Sequence, residues 1–247
     1  MRPLLAAIPF AGTLINAGAI LVGTATGLAV GHRLSERIRV TVMDVLGLLT
    51  LALGMDGALA AFREPLSSFS RASVLFVMGS VLVGGVIGEL ARLEDRLAGF
   101  GEALKRRIGS GEARFVEGFV VASLVFCVGP MAVLGSIQDG LSGDFELLAI
   151  KSLLDGFAAL AFASALGVGV GSSIITVIAY QGSLTLVASS VSNVFTDEMI
   201  AALTAAGGLL ILGISLRLLD LKQVRVGNML PALVIAPLSV WAWQTLL

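Results

Sequence analysis

Lys151 and Asp155 stand four residues apart in the apolar stretch KSLLDGFAALAFASALGVGV. Four residues make just over one helical turn, so the two side chains share a helix face and can pair. A charge inside a membrane span is costly and marks a binding or relay site by default. Pairing lowers that cost, so a purely structural ion pair is the competing reading. Asn16, in NAGAILVGTATGLAV, takes the place of Asp155 when the two halves of the chain are aligned. Polar groups at matched repeat positions would meet across the repeat interface, where transporters place their sites. The alternative is an interhelical hydrogen bond that only joins two spans.

Other candidates surround a break in helical order. In FCVGPMAVLGSIQDGLSGD, Gly129 and Pro130 fall in mid-span. Proline removes a backbone donor and frees a carbonyl, and freed carbonyls at membrane depth are tolerated only in buried or cavity-lining places. Discontinuous helices use such ends to hold ions; a simple proline kink is the plainer explanation. Gln138 and Asp139 follow shortly after, and Tyr180 and Gln181 place two polar side chains early in a later span. All four are candidate substrate or ion ligands, with helix-to-helix hydrogen bonding as the alternative. Gly23 and Gly27, four apart, and the glycines of GGVIGE read as packing faces. LGVGVGSS reads as a tight turn and not a phosphate loop, since no strand precedes it. Glu89, Asp44, Asp56, Glu117 and Asn228 are further polar groups within or bordering spans, and His32 belongs at headgroup level.

The elements that must position these residues are membrane helices. Of 247 residues, 57% are hydrophobic and 13% charged. A soluble domain carries roughly 25% charge, so the surplus apolar surface must face lipid. Charge-bounded apolar runs place spans near Ile8 to Gly31, Val40 to Phe62, Ala72 to Leu90 and Val116 to Ile137. Four more lie near Leu147 to Val170, Ile174 to Val191, Met199 to Leu216 and Met229 to Leu246. The expected fold is all-α, a polytopic transmembrane bundle of about seven or eight spans. Between the third and fourth spans, residues 92–114 put Leu93, Leu97, Phe100 and Leu104 at helical spacing, as in an amphipathic surface helix. Arg33, Arg37 and Arg39, the basic set from Arg92 to Arg114, and Arg217, Lys222 and Arg225 assign those loops to the cytoplasm.

The chain also reads as an internal repeat. GLLTLALG (Gly47 to Gly54) is echoed by GSLTLVAS (Gly182 to Ser189), and GELARLED (Gly88 to Asp95) by GISLRLLD (Gly213 to Asp220). The likeness divides the chain into residues 1–145, holding four spans and the amphipathic segment, and 146–247, holding the other four. Duplicated polytopic bundles are the architecture of many secondary transporters.

Composition excludes other classes. One cysteine and one histidine leave no disulfide and no His or Cys metal cluster, and no Ser-His-Asp or HExxH arrangement is present. The chain is therefore not read as an enzyme, and no resident cofactor is expected beyond a coupling Na+ or proton. A net charge of −1 and 6% aromatics imply no nucleic-acid partner. The expected partners are the lipid bilayer and a small ion or solute; the glycine-rich faces serve internal packing or a homo-oligomer.

Taken together, GTLINAGAILVGTATG, GGVIGE, GFVVASLVFCVGPMAVLGSIQDGLSGD, KSLLDGFAALAFASALGVGV, YQGSLTL, GGLLILGISLRLL and VGNMLPAL resemble a bacterial inner-membrane family, the YdfK/YqgA-like domain of unknown function. The resemblance covers nearly the whole chain. It implies a multi-pass inner-membrane protein that looks like a transporter with no agreed substrate, and it supplies no site residues. The expected function is secondary transport by alternating access. A passive channel and a non-transporting membrane scaffold or sensor are the rival readings.

Overall fold

A computed structural model describes residues 10–31, 33–63, 66, 73–191 and 196–246; His32 lies outside them. The described residues form helices and no strand. In chain order these are α1 (Ala11–Gly31), α2 (Glu36–Ala58), α3 (Ser73–Ala91), α4 (Leu93–Ile108), α5 (Phe115–Cys127) and α6 (Pro130–Ser142). They continue with α7 (Glu146–Leu166), α8 (Gly169–Ser172), α9 (Ile174–Val191), α10 (Asp197–Leu218) and α11 (Ala232–Leu246). Short 3-10 turns, Leu59–Phe62 and Val226–Met229, extend α2 and precede α11. Seven helical stretches are long and apolar enough to cross a membrane, and the bent pair α5–α6 makes an eighth candidate. The amphipathic segment is helical as expected, with Phe100 of α4 packed on Phe119 at a ring separation of 5.8 Å.

The chain gathers into two compact units, residues 1–43 with 98–194, and residues 44–97 with 195–247. This is a different division from the two sequence halves, because each unit draws helices from both sides of residue 145. The first unit contains α1, α5, α6, α7, α8 and α9; the second contains most of α2 together with α3, α10 and α11.

Small residues let the helices of the second unit approach closely. A Cβ at Gly84 would meet the backbone of Ala232 at 2.5 Å, and one at Gly54 the backbone of Leu212 at 2.7 Å. The core there is built from Leu66, Val77, Met199, Ala202, Ala206, Ala236 and Val240. One end is closed by a polar network. Glu94 accepts from Arg217 at 2.8 Å and from the Gly227 amide at 2.6 Å, while its own backbone N–H donates to Asn228 Oδ1 at 2.7 Å. Asn228 Nδ2 donates to Glu89 at 2.6 Å, and Arg225 donates to the same carboxylate at 2.8 Å. Asn228 is thus a buried cross-link. Replacing it with Ala strands the Glu94 N–H and removes a charge-assisted bond. Asn228→Ala is expected to cost about 2–4 kcal/mol, read as an earlier thermal unfolding transition in detergent.

Candidate functional site

In the first unit the seam between α1 and α7 sets the geometry. Gly23, Gly27 and Gly31 recur every fourth residue, so they form one stripe along α1. A Cβ on Gly23 or Gly27 would strike the backbone oxygen of Gly156 or Leu160, and one on Gly31 would sit 2.7 Å from Ser164 O. At the other end Gly12 meets Leu148. Contacts that rise together in both sequences mean the helices run parallel, backbone against backbone.

That approach brings Asn16 to Asp155. Asn16 Nδ2 donates to Asp155 Oδ2 at 3.0 Å, and the Lys151 ammonium donates to the same oxygen. All three residues are buried, at 0%, 7% and 6% exposure for Asn16, Asp155 and Lys151, deep enough that water cannot screen the pair. Asp155 is the tenth residue of a 21-residue helix, which puts the ion pair at mid-length. A carboxylate only accepts, so Asn16 must turn its NH2 group toward Asp155. Its Oδ1 is then a buried acceptor, and it has no partner among the described residues.

The break between α5 and α6 lies beside this pair. The two helices bend by 63°. Val128 is extended, and Gly129 has φ 141°, a conformation that L side chains rarely adopt. Pro130 then opens α6, where its missing N–H costs nothing. The last carbonyls of α5 consequently lack helical donors. Cys127, the final residue of α5, lies within electrostatic range of both Lys151 and Asp155. The start of α5 packs at the far end of α7, with Gly118 against Leu166, while Gly135 of α6 packs on Leu148 at its near end. The broken pair therefore runs the full length of α7: it is an interrupted crossing and not a hairpin that turns back. Among the described residues, four candidate crossings lie in this unit: α1, α5–α6, α7 and α8–α9.

α9 packs against α1, α5 and α6. Its Gln181 is fully buried, and neither amide atom has a partner among the described residues. Thr13 and Thr24 on α1 likewise keep unpartnered buried hydroxyls. Sequence reasoning missed these two threonines, although Thr13, Asn16, Ile20 and Thr24 follow the spacing of one helix face. On either side of Gln181 along α9, Thr176 donates to Ser123 at 2.8 Å and Thr185 to the Ser136 carbonyl at 3.1 Å. Tyr180 is half-buried, with Cys127 as its electrostatic neighbour.

Two candidates fall outside this cluster. Gln138 is exposed on α6. Its neighbour Asp139 is buried, but its carboxylate accepts the Gly12 N–H at 3.1 Å. It closes the N-terminus of α1 from another helix, where a negative charge suits the helix dipole. Asp139→Ala should cost about 1–2 kcal/mol, as loss of a helix cap does, while leaving any ligand affinity of the cluster within a factor of about two. Thermal unfolding and ligand titration of the variant check both parts.

A cavity of about 360 Å³ opens in the same unit between Leu28, Gly31, Glu112, Arg114, Ala163 and Gly167. Ala163 stands about 12 Å along α7 from Asp155 at 1.5 Å per residue. The wall is fixed where Glu112 accepts the Val168 N–H at 2.7 Å, next to Gly167 with φ 83°.

Over residues 11–241 the chain matches the family described as "Protein of unknown function (DUF554)". The chain belongs to the DUF554 family. This DUF554 member is 34% identical over 241 residues to a protein of Escherichia coli K12 named "Uncharacterized protein YqgA", covering 94% of the chain and 97% of the relative. It is 28% identical over 230 residues to "Uncharacterized membrane protein YdfK" of Bacillus subtilis 168, covering 93% and 95%. No solved structure matches it. The apolar helices and the family membership make it a polytopic membrane protein.

Proposed function

We propose that this DUF554 protein is a secondary transporter of a small ion or solute, with its binding site at the Asn16–Lys151–Asp155 cluster. It would sit in the bacterial inner membrane with its basic loops in the cytoplasm. One observation carries the reading. A buried ion pair at mid-helix adjoins an interrupted crossing, and the Asn16 amide oxygen beside it has no partner among the described residues. A pair kept only for packing gains nothing from unpartnered polar neighbours, each costing about 1–3 kcal/mol. A site that exchanges protein contacts for a ligand needs them. A cavity lies toward one end of the same seam, and the break gives the crossing a place to flex.

The test begins with the purified protein. A ligand that binds only the folded state raises its unfolding temperature by mass action. Ions and small metabolites screened this way name a ligand class, which is then loaded into proteoliposomes. The expected result is slow flux that saturates with concentration. Ohmic current in planar bilayers would establish the channel reading instead. Absence of flux for every stabilising ligand would leave the protein a scaffold or sensor.

A further inference from the structure

The charge inventory of the cluster narrows the ligand, on the premise that the transporter reading holds. Asp155 carries the negative charge and Lys151 the positive one, so the site is neutral as it stands. Asn16 Oδ1 is a buried acceptor with no partner among the described residues while its NH2 group donates to Asp155, and a half-turn of the amide would present the oxygen to an ion on that carboxylate. Gln181 on α9, a helix that packs on α1, α5 and α6, keeps a second buried amide with no partner among the described residues. A carboxylate beside an amide with an unclaimed oxygen offers the ligand type that a hard cation prefers. A divalent ion would leave surplus charge at membrane depth, where it is expensive. No group of three His, Cys, Asp or Glu side chains fit to hold such an ion occurs among the described residues.

We propose that Asp155, with Asn16 turning its Oδ1 inward, binds a small monovalent cation, and that Lys151 is a resident substitute for it. The incoming cation takes the carboxylate, Lys151 gives up one proton to water, and the site remains neutral. One cation binds for each proton released, so exchange across the membrane is electroneutral. The other titratable groups facing the pair are few. Cys127 comes from α5, with Tyr180 of α9 beyond it; α1 contributes only the neutral Asn16. Asp139 of α6 is engaged at the start of α1 and has Asp144 as its charged neighbour.

Thermal unfolding of the full-length protein in detergent tests this with NaCl, LiCl and KCl, each against choline chloride at equal ionic strength. At least one alkali cation should stabilise the wild type. Its apparent affinity should rise about tenfold per pH unit from pH 7 to 9, because each binding event releases one proton. Lys151→Arg should fold and show no cation response at any pH, since a guanidinium keeps its proton and stays on Asp155. Lys151→Gln removes the competing ammonium and should bind the cation more tightly than the wild type at pH 7, and that result stands even where the Arg variant misfolds. A pH-independent wild type, a Lys151→Arg variant that binds cations as the wild type does, or no alkali-cation response at all overturns the proposal. Saturable flux of some other solute alongside such a failure would overturn the cation site alone and leave the transporter standing. Cation binding with the expected pH law but no flux would sustain the site and sink the transporter.

Discussion

Asp155→Asn is expected to reduce flux in proteoliposomes to the level of empty vesicles and to destabilise the protein. Removing one partner leaves Lys151 as a buried, uncompensated charge, at a cost of about 3–5 kcal/mol. Loss of activity in that variant alone would not separate function from folding. The double variant Asp155→Asn/Lys151→Gln does. It replaces two charges by two amides of similar shape that can hydrogen-bond to each other and to Asn16, so stability returns to near the wild-type value. Flux does not return, because the only buried charges of the cluster are gone. A stable double variant that transports at the wild-type rate would show that the pair is structural. The site would then lie elsewhere.

The second large effect is steric. Gly23→Leu should deplete folded protein in detergent extracts, whereas Gly18→Leu on the same helix should be silent. A Cβ at Gly23 meets the backbone oxygen of Gly156, which cannot rotate away as a side chain would; at Gly18 nothing lies within 4 Å. Overpacking in a tight core costs about 1–3 kcal/mol. Here the wedge also parts α1 from α7 and with it Asn16 from Asp155, so the upper end of that range is expected. The exposed position should stay within about 0.5 kcal/mol. Size-exclusion profiles of fluorescent fusions compare the two variants directly. Equal folded yields would mean that α1 and α7 do not touch along the glycine stripe.

Much of this was legible in the sequence, for identifiable reasons. Spans are visible because lipid demands about 20 apolar residues in a row, and the helices fall where charge-bounded runs placed them. The interrupted crossing was visible in Gly129-Pro130, because one residue supplies the backbone angle and the other the missing donor. Asn16 and Asp155 do meet, as the reading of them at matched places in the two halves expected. Other features depend on which helices become neighbours, and no local pattern carries that. Asp139 looked like a ligand because a carboxylate in an apolar segment is suspicious. That it closes α1 depends on a residue 127 positions away. Gln138 and Asp139 are adjacent in sequence but point about 100° apart on a helix, so only one can face inward. Asn228 and Glu94 join segments separated by 134 positions.

Water access to the buried cluster is the central claim, and the chain carries its own probe for it. Cys127 is the sole cysteine and ends α5 beside Lys151 and Asp155. The direct measurement is its labelling by a small, membrane-impermeant methanethiosulfonate in sealed native vesicles of both orientations. A transporter of this design predicts reaction from each face, at a rate that changes when a transported ligand is added. A Cys127 that stays unreactive from both faces, yet labels fully once the protein is unfolded in detergent, would contradict it.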